Sequence, residues 1–117
     1  SAASDVYKRQ GYQGVDQVVR GDDLLFSAPA QAYLAHELGL VQPEYVHVPL
    51  VVNDEGRRLA KRDGAVTLRE MLEHMPVEAV VGEIAASVGC PGSTTVTELL
   101  EIFDPSQMPR EPWVWRP

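Results

Sequence analysis

The run VDQVV at 15–19 is short, apolar and rich in β-branched residues, and it ends in the polar group RGDD. This pattern predicts a buried strand that enters a functional loop. Ser27, Ala28 and Pro29 then combine an N-cap residue with a proline in the first turn, and Ala32, Leu34, Ala35 and Leu38 recur at helical spacing up to Gly39. A helix over 28–38 is expected. Beyond Pro43, YVHVPLVV at 45–52 reads as a second strand, in which Pro49 implies an edge position, a bulge or an early end. NDEG at 53–56 is turn chemistry.

The second part of the chain carries helical patterns. Thr67 stands three residues before Glu70, the capping-box spacing, and opens a short helix to about His74. Pro76 opens the next, where Val77, Val80, Val81, Ile84 and Val88 repeat at helical spacing as one buried face, and Gly89 with Pro91 ends it. Thr95 and Glu98 repeat the capping-box spacing ahead of Leu99, Leu100, Ile102 and Phe103. The organisation expected is an α/β segment to residue 66 and a small helical segment over 67–117.

Composition narrows the function classes. With 117 residues, 10 Lys+Arg against 17 Asp+Glu and a formal charge of −7, the chain lacks the broad positive field of a protein that coats nucleic acid. Any nucleic-acid contact has to be local. A single cysteine, Cys90, allows neither an internal disulfide nor a multi-cysteine zinc site, and fits a reducing cytoplasm. No apolar run approaches the roughly 20 residues of a membrane span. His36, His47 and His74 show no metal-ligand spacing with one another or with Cys90, and His47, inside a strand, reads as a hydrogen-bonded core or pocket residue. No nucleophile constellation is present.

Residues 1–10, SAASDVYKRQ, do not join naturally to the rest of the chain and look like the in-frame translation of a transposase sequencing adapter. They are set aside from fold reasoning. Position 11 is a glycine rather than an initiating methionine, so the chain is expected to be the C-terminal piece of a longer protein.

The most informative stretch is RRLAKRDGA at 57–65. Arg57, Arg58, Lys61 and Arg62 are four of the eight cations outside the first ten residues, and Gly56 and Gly64 bracket them. Such a loop can bring an ammonium group to a polyphosphate, where charge developing on a transferring phosphate needs a donor. A solvated basic turn would have the same composition.

Three segments in order, RGDDLLFSAPAQAYLAHELGL, PEYVHVPLV and GRRLAKRDGAVTL, resemble the second half of the catalytic domain of glutamyl-tRNA synthetases and their short paralogues, over about residues 14–68. RLAKR at 58–62 takes the place of the class I KMSKS loop. The resemblance implies an α/β fold, with 11–66 as the C-terminal half of a Rossmann-type catalytic domain. It also implies ATP with Mg2+, activation of glutamate to glutamyl-adenylate, and transfer to a tRNA. By family position Arg20 binds glutamate, as a planar guanidinium at a strand's C-terminal end can. Asp23 and Leu24 are expected near the nucleotide, with Leu50 and Val51 against adenine. Lys61 corresponds to the second KMSKS lysine, which stabilises the α-phosphate and the departing pyrophosphate. Arg58 replaces the loop's first lysine and keeps its charge, whereas Ala60 replaces its serine and loses a hydroxyl.

The family's HIGH motif, its other glutamate-binding residues and the zinc site of many short paralogues would lie upstream of Gly11. The piece alone is therefore expected to be inactive. The end of the chain, FDPSQMPREPWVWRP, resembles the compact terminus of the short paralogues, which esterify glutamate to the queuosine of tRNA(Asp). The partners so implied are glutamate, ATP and the tRNA(Asp) anticodon stem-loop, with no membrane, for a cytoplasmic monomer. Trp113 and Trp115 could stack on bases or pack the tail back onto the domain. Two other readings stand beside this one: part of a glutamyl-tRNA synthetase that charges tRNA(Glu), and a noncatalytic interaction module on a degraded synthetase fold.

Overall fold

The structure is a computed structural model and describes residues 8–60 and 66–116. It divides into two compact units that meet in sequence between Val48 and Pro49.

In the first unit, strands β1 (Gln17–Gly21) and β2 (Glu44–Val48) pair in parallel, with Arg20 opposite His47 and Gly21 opposite Val48. The backbone ladder carries the first strand two residues past the apolar run, because main-chain bonding is indifferent to side-chain polarity. Val19 is 59% exposed rather than buried. Among the described residues of this unit, two strands, the helix between them and a short helical stretch at 8–12 do not suffice to cover both faces of a parallel sheet. A 3-10 turn over Asp22–Ser27 leads into α1 (Ala28–Glu37). Ser27 does not cap that helix with its side chain as its sequence position suggests. Its hydroxyl donates instead to the Leu24 carbonyl, since the preceding turn already holds Ser27 in helical backbone geometry. At the other end Gly39 takes φ +66°, and the N–H groups of Gly39 and Leu40 close onto the carbonyls of His36 and Ala35. This is a Schellman closure.

The second unit is built around β3 (Val51–Val52), which Pro49 separates from β2. The early end allowed by that proline is the outcome observed. Its parallel partner is β4 (Trp113–Val114), so the segment expected to be helical throughout returns a short strand near its end. Among the described residues between them are three short α-helices: α2 (Leu68–His74), α3 (Val77–Ser87) and α4 (Val96–Ile102). The capping box at α2 is complete. Thr67 Oγ1 accepts from the Glu70 N–H, and the Glu70 carboxylate accepts from the Thr67 N–H at 2.7 Å. At α4 the Thr95 hydroxyl caps Glu98, but the Glu98 carboxylate reaches one residue further back, to the N–H of Thr94.

Helix α3 buries only part of the face its valines suggest, with Val81 and Val88 half-buried. Val80 and Ala85 are buried, whereas Val77 and Ile84 are exposed. Gly82 lacks a side chain, and a Cβ there would sit 3.8 Å from the Ser93 carbonyl. The loop carrying buried Cys90 and Ser93 therefore packs on the Gly82 and Ala85 side. Gly89 ends the helix at φ +86° with the same Schellman closure, Cys90 N–H to Ala85 and Gly89 N–H to Ala86.

Candidate active site

In the first unit the chemistry gathers on Arg20. Parallel register sets Arg20 beside His47, and Tyr45, two residues earlier on β2, shares the His47 face. The Arg20 Nε–H donates to His47 Nε2 at 3.1 Å, Nη1 donates to Gln31 Oε1 from α1, and Nη2 donates to the Leu24 carbonyl at 3.2 Å. The guanidinium carbon lies 5.0 Å from the Tyr45 ring centroid, and the Tyr45 and His47 rings stack 6.2 Å apart at 15°. None of these partners is a carboxylate. The guanidinium is thus held in place with its charge uncancelled, which suits it to take a carboxylate from outside.

In the second unit the basic stretch begins on a fixed base. Asn53 Oδ1 accepts from the N–H groups of Glu55 and Arg57, Gly56 turns at φ +77°, and the Asn53 N–H donates to the Arg57 carbonyl at 2.8 Å. The turn expected from NDEG folds the chain back on β3: Val52 and Arg58 form an antiparallel bridge, and the Leu59 N–H donates to the Val51 carbonyl. On the opposite edge of β3 the N–H groups of Trp113 and Trp115 donate to the Leu50 and Val52 carbonyls, each at 2.8 Å. The start of the basic loop and the tail thus grip the same two-residue strand. A mainly apolar cavity of about 170 Å³ lies beside it, lined by Val51, Leu59, Met71, Trp113 and Trp115, with Glu83 at its wall. Both tryptophans pack the tail inward, as an amphipathic aromatic commonly does.

Relatives of known identity match this chain over most of its length. It is 57% identical over 103 residues to the glutamyl-Q tRNA(Asp) synthetase of Nocardia farcinica, covering 87% of this chain and 33% of that protein. The glutamyl-Q tRNA(Asp) synthetase of Symbiobacterium thermophilum is 43% identical over 85% of this chain and 32% of its own length. The chain belongs to the glutamyl-tRNA synthetase family. Another relative, glutamate–tRNA ligase 2 of Nitratiruptor, is 36% identical over 81% of this chain and 21% of its own length. No family model matches the chain. Among solved structures, the glutamate–tRNA synthetase of Elizabethkingia anophelis superposes with a TM-score of 0.73 at 20% identity, over 94% of this chain and 27% of that one. That likeness establishes a shared α/β fold. The chain spans about a third of the length of the glutamyl-Q tRNA(Asp) synthetases it matches.

The residues singled out by resemblance to this synthetase family fall into both units. Arg20, Asp23 and Leu24 belong to the first, the latter two on the 3-10 turn, and Leu24 contributes a carbonyl that holds Arg20. Leu50, Val51 and Arg58 belong to the second, where the Leu50 and Val51 carbonyls already accept main-chain bonds. Lys61 lies outside the described residues. His47 is the hydrogen-bonded residue its strand position suggests. The sequence pattern singles out neither Gln31 nor Tyr45. Alternation along β2 could have put Tyr45 on the His47 face, but no local signal joins Gln31 to Arg20.

Proposed function

We propose that this chain forms the glutamate-holding and ATP-handling later part of an enzyme that activates glutamate and transfers it to the queuosine of tRNA(Asp). The observation that carries the reading is Arg20, fixed by three neutral acceptors and therefore still a full positive charge for a substrate carboxylate. In the first step a glutamate carboxylate oxygen attacks the α-phosphorus of ATP, the bond to the β,γ-phosphates breaks, and pyrophosphate leaves with the bond electrons. Lys61 and Arg58 would meet the charge that moves onto the departing group. In the second step a queuosine hydroxyl attacks the acyl carbon, and AMP leaves.

Adenine would lie on the apolar side chains of Leu50 and Val51, because their carbonyls are already engaged by Trp113 and Leu59. Asp23 and Leu24 belong to the nucleotide side in the same reading. Among the described residues no group of three or more His, Cys, Asp or Glu side chains is gathered to hold a metal ion. Magnesium would enter on the ATP phosphates, which commonly supply several of its ligands. No helix among the described residues is long and apolar enough to cross a membrane. A cytoplasmic monomer remains part of the proposal.

Similarity to glutamate–tRNA ligases supports a second reading, in which the enzyme charges tRNA(Glu). The test joins this chain to the upstream part its relatives possess and offers both acceptors. Glutamylation of queuosine-containing tRNA(Asp), or of its isolated anticodon stem-loop, with tRNA(Glu) left uncharged, is expected. Charging of tRNA(Glu) on its terminal adenosine alone would select the second reading, and adenylation absent with either acceptor would favour a noncatalytic module.

A further inference from the structure

We propose that His47 is the positioning residue for Arg20, acting as the Nδ1–H tautomer whose Nε2 lone pair fixes the guanidinium plane. The inference rests on the reading that Arg20 holds a carboxylate of glutamate. A guanidinium carries five N–H groups. Three are engaged, one each from Nε, Nη1 and Nη2, by His47, Gln31 and the Leu24 carbonyl. One N–H is left on each terminal nitrogen, and with the Nε–H engaged the edge between those two nitrogens is where a carboxylate can make a two-pronged contact. The bond from Nε decides which edge that is, because it sets the rotation of the whole planar group.

The choice of a histidine as acceptor matters chemically. An aspartate opposite Arg20 would hold the same geometry but neutralise the charge the substrate is meant to meet. A neutral imidazole positions without cancelling. It can accept at Nε2 only while its proton sits on Nδ1, and an imidazolium would instead set a second cation against Arg20. Tyr45 supports both partners: it stacks on the His47 ring and presents its face to the guanidinium at 5.0 Å. Direct opposition of Arg20 and His47 in the β1–β2 ladder makes the pairing a property of the strand register.

Nitrogen-15 NMR of the 117-residue chain tests this directly. Long-range proton–nitrogen spectra should show His47 as the Nδ1–H tautomer, and the Arg20 Nε–H should give a resolved, slowly exchanging signal. His47→Leu should abolish that protection and, in the chain joined to the upstream part its relatives possess, weaken L-glutamate binding by about tenfold or more, the loss expected for a hydrogen bond to a charged group. His47→Gln, which offers an amide oxygen as a neutral acceptor, should restore the Nε–H signal and most of the affinity. An Nε2–H tautomer, an unchanged Arg20 signal in His47→Leu, or no rescue by His47→Gln would overturn the positioning role. If the wild-type signature is present but glutamate perturbs no Arg20 proton in the chain joined to its upstream part, the glutamate reading falls while the positioning stands.

Discussion

The guanidinium of Arg20 is gripped by a histidine, a glutamine and a main-chain carbonyl, and the lack of a carboxylate among them decides what it can do. Arg20→Lys keeps the charge but replaces a planar fork by a point-like ammonium on a flexible stem. Glutamate binding should weaken by about 2 kcal/mol, the usual worth of a hydrogen bond to a charged group. A glutamate Kd unchanged from wild type would move Arg20 out of the site. Gly89 is a second residue whose identity is dictated by surroundings. Its φ of +86° disfavours any L side chain, and a Cβ there would lie 3.0 Å from Pro109 Cδ and 3.1 Å from the Gln107 carbonyl. Gly89→Ala should therefore cost about 2 kcal/mol from the left-handed backbone, with the main-chain contact adding to it. By contrast Gly56→Ala, at φ +77° with nothing within 4 Å of its would-be Cβ, should lose only the backbone part. Urea unfolding of the two variants side by side checks the difference, and equal losses would show that the Gln107 contact is irrelevant.

At the scale of elements, the starts of α2 and α4 were legible because the deciding residues stand three apart. Thr67 with Glu70 and Thr95 with Glu98 both cap as their spacing predicts, apart from the one-residue reach of Glu98 back to Thr94. Pro49 likewise signals where β2 stops. Less legible was anything made by distant pairing. Strand β4 is two residues long and exists only through β3, and the surroundings of Arg20 arise from the register between β1 and β2. The buried face of α3 keeps Val80 but leaves Val77 and Ile84 exposed, because valines mark a helix while Gly82 and Ala85, by being small, admit the neighbouring loop. Lys61, the residue most tied to phosphate chemistry, lies outside the described residues.

The caps also give a pH signature. Hydrogen bonds first from the Thr67 N–H and then from its hydroxyl hold the Glu70 carboxyl below its ordinary 4.5, and the Thr94 N–H is the main cause of the same shift at Glu98. A carboxyl lowered in the folded state contributes stability that is present above its ordinary value and is lost as pH falls through the lowered one. Far-UV circular dichroism should therefore show helix loss setting in below about pH 4.5, a value set by the free carboxyl. Glu70→Gln should flatten part of that acid response, and Thr67→Ala should cost about 1 kcal/mol at neutral pH. An acid response identical in wild type and Glu70→Gln would remove the capping box as its source.

For the whole molecule the governing fact is charge. A chain of net −7 repels a polyanion in general, so the proposed contact with an anticodon stem-loop has to be made through the few cations it concentrates at 57–62. This makes the salt dependence diagnostic. Binding to single-stranded nucleic acid loses about 0.7 in the logarithmic slope for each phosphate neutralised. Arg57, Arg58, Lys61 and Arg62 can together give a slope of no more than about −3 on that rule. Arg57 leans on Glu55 at 3.4 Å with both side chains largely exposed, a weak pairing that a phosphate can replace. Titrating a fluorescent anticodon stem-loop with the 117-residue chain across salt concentrations without ATP, so that Arg58 and Lys61 are not engaged by its phosphates, should give a slope between about −2 and −3, and Arg57→Gln should reduce it by about 0.7. A much steeper slope, or one that Arg57→Gln leaves untouched, would mean that the RNA is held elsewhere and that the basic stretch serves the nucleotide alone.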